Sequence, residues 1–216
     1  MPQDQTSPAA SGLGLVLTSS ACYRLCIMKV IGLAGRAGSG KSVVAKTLAQ
    51  RPGIEWVDLD KVAWQTYAPG RPIHKQLVEA FGESILSSSG EIDRETLAEA
   101  AFVNEETRQT LDALVHPAVS DEVQSIVREY QQRGTDILLI EGALLASSPF
   151  VDRSIYDLVL WLSVSEDVRA DRLHLIGRGD HLERGRNITP AGDVIVIDAG
   201  GSVDEVAHRV LQAIGS

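Results

Sequence analysis

Short runs of apolar residues recur along the chain, and stretches with helical spacing separate them. Five runs are almost continuously apolar and are predicted to be strands: Lys29–Ala34, Ile54–Leu59, Ile137–Ile140, Leu158–Val164 and Val194–Ile197. Strands covered by helices on both faces have this composition, whereas half-exposed strands alternate. The pattern therefore predicts an α/β fold with a parallel five-stranded sheet and helices on both of its faces.

Helical spacing appears between the predicted strands, at Lys41–Gln50, Val119–Gln132 and Glu166–Leu175. A last helix is predicted after a capping box, because Ser202 can accept from the third helical N–H while Glu205 reaches back. Strands and helices thus alternate, as they do in doubly wound sheets.

Residues 67–132 break this alternation, because they carry only helical signals between the second and third strands. Asp93 and Asn104 are predicted N-caps within this stretch. The pair His116-Pro117 is predicted to lie between two helices, since proline suits the first turn of a helix. The stretch is too long for one crossover helix, so we predict a helical insertion that contributes to substrate recognition.

Composition is that of a folded domain. The 216 residues are 44% hydrophobic and 23% charged, which excludes a disordered chain. No apolar run reaches the roughly 18 residues that a membrane span needs, so we expect no membrane partner. The formal net charge of −9 argues against nucleic acid as a partner, so an anionic ligand requires a local basic site.

Residues 1–27 differ from the rest because they are rich in Ser, Ala, Gln, Gly and Pro. We predict a disordered extension here, or a natural start at Met28, and one domain over residues 28–216. The stretch lacks the basic segment of a secretory signal, so we expect a cytoplasmic protein. Cys22 and Cys26 cannot complete a disulfide framework or a metal site and are expected to be free thiols. We also expect a monomer.

The strongest motif is Gly35-Arg-Ala-Gly-Ser-Gly-Lys-Ser42, which fits the phosphate-binding pattern G-x-x-x-x-G-K-[ST] between a strand and a helix. Its glycines let successive N–H groups face phosphate oxygens, and the helix N-terminus adds partial positive charge. Lys41 would reach the β and γ phosphates, and Ser42 would offer its hydroxyl to Mg²⁺. The motif predicts that a nucleoside triphosphate is bound by Gly35, Arg36, Ala37, Gly38, Ser39, Gly40, Lys41, Ser42 and Val43.

Several classes of protein share this loop, and the sequence excludes some of them. A GTPase would need the guanine-reading pattern N-K-x-D, and a transport ATPase would need an LSGGQ-like signature; the chain has neither. The chain is also too short for a motor. Kinase chemistry, which shares the loop with the switch proteins, becomes the leading hypothesis.

Two acidic residues, Asp58 and Asp60, close the second predicted strand. On a strand they would point to the same side, at the edge of the sheet where ligands bind. Asp60 can accept a proton from a substrate hydroxyl or orient that hydroxyl for in-line attack. Alternatively, Asp60 caps the helix from Lys61 onward. Both roles are open.

Glu141 and His116 are further candidates on the substrate side. Glu141 ends the third predicted strand after four apolar residues, the pattern of a Walker B carboxylate held near Mg²⁺. A strand-end acid in solvent would give the same pattern. His116 is either a substrate contact or a structural helix cap.

Arginines cluster after the fourth predicted strand. Guanidinium groups match phosphate oxygens, and a mobile loop that carries them could close over the triphosphate. An exposed helix face with ion pairs to Asp167, Asp171, Asp180 and Glu183 is the alternative. The cluster consists of Arg169, Arg172, Arg178, Arg184 and Arg186.

The sequence resembles that of dephospho-CoA kinases in elements that follow the family's order: Lys29–Ser42, Asp58-x-Asp60, His116-Pro117, Glu141-Gly-Ala-Leu-Leu145, and Val194–Asp198 with Gly201-Ser202. Asp93-Arg94, followed by a helix, also resembles a short element of the family. The resemblance extends from Met28 nearly to the end of the chain. It implies transfer of the ATP γ-phosphoryl group to the ribose 3′-hydroxyl of dephospho-CoA, the last step of coenzyme A synthesis.

The resemblance also implies roles by position, on a P-loop fold similar to that of nucleoside-monophosphate kinases. Asp60 becomes the base or hydroxyl-positioning group, and residues 67–132 become the CoA-binding insertion. A short lid is expected at about residues 169–192. The remaining implied roles are catalysis for Lys41, Arg172 and Arg178, substrate binding for Asp58, His116 and Glu141, and Mg²⁺ binding for Ser42 and Glu141.

Some positions depart from the family pattern. The family usually has Asp where Glu141 stands, and Arg36 adds a cation to the loop. A related nucleotide or nucleoside kinase is the main alternative. An ATP-binding regulatory protein without catalysis is the alternative from another class.

Overall fold

The computed structural model describes residues 28–143, 145, 151–179, 181–184 and 188–215. In chain order the elements are β1 (Lys29–Ala34), α1 (Lys41–Leu48), β2 (Ile54–Asp58), α2 (Leu59–Thr66), α3 (Pro72–Phe81), α4 (Arg94–Ala101), α5 (Glu105–Gln132), β3 (Ile137–Glu141), β4 (Leu158–Ser163), α6 (Glu166–Leu175), α7 (His181–Arg184), β5 (Ile195–Asp198) and α8 (Val203–Gly215). The predicted extension at residues 1–27, with its two cysteines, lies outside the described residues. So do Asp180, Arg186 and the side chains of Glu183 and Arg184.

The five strands form one parallel sheet in the order β2-β3-β1-β4-β5. Each observed strand agrees with its prediction to within about one residue at either end, because buried parallel strands are continuous apolar runs. β1 is central, and the chain reverses its direction of winding beside it. The carboxyl end of β1 is therefore where a ligand is expected to bind.

Helices cover both faces of the sheet, as predicted. Ile31 and Leu33 of β1 face α1 and α8, where they join one core cluster with Val210. Val30 points to the opposite face and shares a second cluster with Val62 of α2 and Val123 of α5. Burial of apolar residues on both faces stabilises the sheet, and the phosphate-binding loop leaves its carboxyl edge after β1.

Helices between β2 and β3 build a small core of their own. Leu77, Ile85, Ile92 and Leu97 are buried together there, and Leu111 of α5 packs against them. Both predicted caps are confirmed, because the Asp93 carboxylate accepts from the Thr96 N–H and Asn104 forms a capping box with Thr107. The C-terminal part of α5 leaves this core and packs on the sheet.

The prediction that His116-Pro117 separates two helices is wrong. α5 runs through Pro117 without a break over 28 residues. Proline removes one backbone donor from a helix, which is a local loss. The flanking turns are held by apolar contacts, to the insertion core before Pro117 and to the sheet after it. No helix within the described ranges combines the length and apolar character of a membrane span.

Candidate active site

The phosphate-binding loop leaves β1 at Ala34 and enters α1 at Lys41. Gly35, Gly38 and Gly40 adopt φ angles of 146°, 82° and 92°, which side chains disfavour. A Cβ atom at Gly35 would lie 2.6 Å from the backbone oxygen of Leu162 on β4. Glycine is therefore required at this turn, and the loop is fitted closely against the end of the neighbouring strand.

Lys41 points into the loop. Its ammonium group donates hydrogen bonds to the carbonyl oxygens of Gly35, at 2.7 Å, and Arg36, at 3.2 Å. Burial lowers the pKa of Lys41, and the nearby carboxylates of Glu141 and Asp60 partly oppose that effect. A bound phosphate would relieve this desolvation by supplying negative charge beside the ammonium group.

Ser42 and Glu141 meet at the base of the loop. The Ser42 hydroxyl donates a 2.6 Å hydrogen bond to Oε1 of Glu141, whereas the buried Oε2 has no hydrogen-bond partner among the described residues. Burial raises the pKa of Glu141, opposed by the Ser42 hydrogen bond and by Lys41. Glu141 is only 5% exposed, so the alternative of a strand-end acid in solvent is wrong.

This pair fits Mg²⁺. Mg²⁺ in phosphoryl-transfer sites takes one or two protein oxygens, with phosphate and water oxygens as its other ligands. A serine hydroxyl beside a carboxylate that has one unsatisfied oxygen is such a donor set. Within the described ranges, no group of three or more acidic, histidine or cysteine side chains could form a cage made of protein ligands alone.

Asp58 lies at the end of β2, as predicted, whereas Asp60 is not part of that strand. β2 ends at Asp58, so Asp60 lies in the first turn of α2, and strand alternation does not direct its side chain. Asp58, and not Asp60, caps α2, because its Oδ1 accepts from the N–H groups of Asp60 and Lys61. The cap uses the side chain of Asp58 and leaves that of Asp60 to the cleft.

Asp60 borders the cleft. Surrounding protein atoms raise its pKa, Asp58 raises it further, and Lys41 opposes the rise. The side chain nevertheless remains accessible from the open cleft. A carboxylate of raised pKa that a substrate can reach is suited to accept a proton from a hydroxyl group.

A cavity of about 640 Å³ unites most of the predicted residues. Its polar end contains Lys41, Ser42, Asp60 and Glu141. The rest of the wall is more apolar and is formed by loop residues and by side chains of α6 and α8, including Ala37, Gly38, Ser39, Gly40, Val43, Leu173, Leu175, Ile176, Val203 and Val206. A polar end joined to an apolar wall suits a ligand with phosphates and a flat base.

Four predicted residues are not part of this wall, and one of them is Asp58, the cap of α2. Gly35 turns below the loop, against Leu162. Arg36 points to the side and forms an ion pair with Glu166 at the start of α6. His116 accompanies Leu59, Val123 and Tyr156 around a separate small cavity, where its Nε2 lies 3.2 Å from the Asp112 carboxylate.

Two of the clustered arginines border the cavity. Arg172 donates to the carbonyl oxygens of Ser39, at 3.3 Å, and Ala199, at 3.1 Å, and so connects the loop to the end of β5. Arg178 follows α6 and has an exposed side chain at the cavity rim. Within the described part of the chain, neither arginine forms an ion pair with Asp167 or Asp171, as an exposed helix face with ion pairs would require. Asp180 and the side chain of Glu183 lie outside that part.

Arg169 is a residue whose place the sequence did not reveal. Its side chain is 1% exposed, and its Nε donates a 2.9 Å hydrogen bond to the carbonyl oxygen of Ala37. It also pairs with Glu166. The arginine cluster was visible in the sequence, but only packing shows that Arg169 supports the loop from behind.

Comparisons with known proteins converge on one family. The family description "Dephospho-CoA kinase" matches residues 29–179. A dephospho-CoA kinase of Corynebacterium glutamicum is 36% identical over 196 residues, which is 87% of this chain and 98% of that protein. The crystal structure of TT1252 from Thermus thermophilus has a TM-score of 0.70 at 26% identity, over 87% of this chain and 96% of that one. A dephospho-CoA kinase from Campylobacter jejuni shares the fold, with a TM-score of 0.56 at 15% identity over 86% and 95% of the two chains.

Proposed function

The chain belongs to the dephospho-CoA kinase family, and on that premise we propose that it transfers the γ-phosphoryl group of ATP to the 3′-hydroxyl of the ribose in dephospho-CoA. The product is coenzyme A, so the reaction is the last step of its synthesis. The observation that carries this proposal is the convergence of Lys41, the Ser42–Glu141 pair and Asp60 at one end of a single cavity.

In the proposed reaction, the acceptor oxygen attacks the γ-phosphorus in line with the leaving ADP. A bond forms between the ribose 3′-oxygen and the γ-phosphorus, and the bond from the γ-phosphorus to the β–γ bridging oxygen breaks. Asp60 receives the proton of the hydroxyl, which its raised pKa favours. Lys41 stays beside the β and γ phosphates and stabilises the charge that develops on them.

The loop provides binding and orientation. The N–H groups at the start of α1 and the partial charge of that helix face the phosphates. Arg169 and Arg172 donate hydrogen bonds to the carbonyl oxygens of Ala37 and Ser39, and these contacts hold the loop against α6. Ser42 and Glu141 would hold Mg²⁺, which neutralises phosphate charge when bound.

The apolar wall between α6 and α8 is proposed to accommodate the adenine of ATP. Residues 67–132 are proposed to bind the CoA portion of the acceptor, and residues 169–192 to act as a short lid with Arg178 at its base. We further propose a monomeric enzyme of the cytoplasm, where ATP is available as substrate.

Product analysis tests the proposal. The protein is incubated with dephospho-CoA, ATP and Mg²⁺, and the product is characterised by mass spectrometry and phosphorus NMR. One added phosphate on the ribose 3′-oxygen is the expected result. Phosphate added elsewhere, or ADP formation without a phosphorylated acceptor, would contradict the proposal.

A further inference from the structure

Three side chains form a stripe along α2, from the candidate base toward the insertion. Asp60, Trp64 and Tyr67 follow the spacing i, i+4, i+7 and therefore share one side of the helix and its C-cap. Asp60 borders the cavity. Tyr67, at the other end, packs against the small core of the insertion. The stripe therefore leads from the reaction centre to the part of the chain proposed to bind the acceptor.

Arg94, the first residue of α4, lies over the middle of this stripe. The central carbon of its guanidinium group is 3.2 Å from the centre of the Trp64 ring, a stacked cation–π contact. The adjacent Asp93 is occupied as a helix cap, because it accepts from both the N–H and the hydroxyl of Thr96. No carboxylate in the described part of the chain forms an ion pair with Arg94.

Arg94 and Asp60 both influence the hydroxyl group of Tyr67. Burial raises the pKa of the Tyr67 hydroxyl, Arg94 opposes that rise, and Asp60 adds to it. Tyr67 is therefore within electrostatic reach of both charged groups. An exposed cation without an ion-pair partner, near a base that needs a hydroxyl, is suited to a ligand with an anionic group close to that hydroxyl.

We propose that Arg94 binds the 5′-diphosphate of the acceptor while Asp60 engages its 3′-hydroxyl, and that Trp64 is the positioning residue that holds the Arg94 guanidinium flat. This role presupposes the proposed function. The 3′-oxygen and the 5′-phosphate of a nucleotide are separated by one ribose ring, a span similar to the ~5–6 Å between i and i+4 side chains. The planar guanidinium fork matches phosphate oxygens, and stacking on Trp64 limits the rotamers that binding must immobilise.

Steady-state kinetics with dephospho-CoA and ATP test this inference on four variants of the full chain. Arg94→Ala is expected to raise KM for dephospho-CoA about 10- to 100-fold, the range for a lost charge-assisted hydrogen bond. Arg94→Lys keeps the charge without the planar guanidinium, so its KM for dephospho-CoA is expected to lie between those of the wild type and Arg94→Ala. Trp64→Leu, which keeps apolar bulk without a π face, should raise the same KM about 3- to 10-fold. Trp64→Phe keeps an aromatic ring, so its KM for dephospho-CoA should stay within about twofold of the wild-type value.

A matched control separates this role from a general loss of positive charge. Arg133→Ala removes an exposed arginine from the C-terminal end of α5, outside residues 67–132, where its ion-pair partner is Glu129 and it lies over the Tyr130 ring. This variant should keep the wild-type KM for both substrates. KM for ATP should stay unchanged in all five variants, because Arg94 and Trp64 lie outside the cavity wall that the phosphate loop forms.

Three results would overturn the inference or a part of it, and they are distinguishable. Dephospho-CoA-dependent turnover in the wild type, together with an Arg94→Ala KM for dephospho-CoA equal to that of Arg133→Ala, would overturn the Arg94 site alone. Equal KM values for Trp64→Leu and Trp64→Phe would overturn the positioning role of Trp64. Absence of dephospho-CoA-dependent turnover in the wild type would overturn the proposed function, and this inference with it. Thermal unfolding of each variant establishes that the protein assayed is folded.

Discussion

Gly38→Ala is predicted to damage ATP binding through the contact between the phosphate loop and α6. Gly38 has a φ of 82°, so alanine at this position costs about 1–2 kcal/mol of backbone strain. The new Cβ atom would also lie 3.0 Å from the carbonyl oxygen of Arg169 and 3.1 Å from Cγ of Leu173. Forcing these groups apart adds about 1–3 kcal/mol, the usual range for overpacking.

Gly90→Ala is the matched control for the backbone term. Gly90 has a φ of 79°, and no atom lies within 4 Å of the position that its Cβ would take. Its strain of about 1–2 kcal/mol should lower Tm by roughly 2–8 °C in a chain of this length, without changing KM for ATP.

Two measurements compare these variants: thermal unfolding by circular dichroism, and KM for ATP. Gly38→Ala should lower Tm by more than Gly90→Ala does, and it should raise KM for ATP at least about tenfold, since the loop can no longer rest on Arg169 and Leu173. Equal effects of the two substitutions on both quantities would refute the reasoning, because they would show that α6 does not shape the loop.

Three further predictions concern charge, protonation and folding. Lys41→Ala should abolish turnover through loss of the β/γ-phosphate contact, whereas Lys46→Ala on the same helix should not. ADP release by Lys41→Ala at the wild-type rate would contradict this role. Asp60→Asn should lower kcat by roughly 10²–10⁴-fold with ATP affinity unchanged. Wild-type kcat should fall as the pH is lowered through the raised pKa of Asp60, because the base must be ionised. The kcat of Asp60→Asn should not show this acidic decline. Because its pKa is raised in the folded protein, ionised Asp60 lowers the free energy of unfolding at pH values above that pKa. Asp60→Asn should therefore raise Tm at neutral pH, and an unchanged Tm would count against a desolvated carboxylate. Asn104→Ala should cost about 1 kcal/mol of stability through loss of the capping box, which should lower Tm by about 2–4 °C and leave KM for ATP unchanged.

The sheet could be predicted closely because its signal is local. A strand buried on both faces is a continuous apolar run, so the bounds of all five strands were readable to within about one residue. The phosphate loop was also predictable, since its three glycines and Lys41 lie within seven consecutive residues. The caps at Asp93 and Asn104 were found for the same reason, because a cap depends on residues only three positions apart.

Features that depend on packing between distant segments were not predictable in this way. Whether Asp58 or Asp60 caps α2 depends on where the helix begins, and a start two residues later would make Asp60 the cap. Pro117 signals a break locally, but contacts on both sides keep α5 continuous. The Ala37–Arg169 hydrogen bond joins residues 132 positions apart, and the Trp64–Arg94 contact joins two helices. No local pattern encodes either contact.

The most direct test of the central claim is acceptor-dependent ADP release from ATP and Mg²⁺. The acceptors are dephospho-CoA, AMP, CMP, adenosine and pantothenate, each assayed with the wild type and with Asp60→Asn. Strong stimulation by dephospho-CoA alone, lost in the variant, is the predicted result. Stimulation by another acceptor in preference to dephospho-CoA, or no stimulation by any acceptor although ATP is bound, would contradict the account.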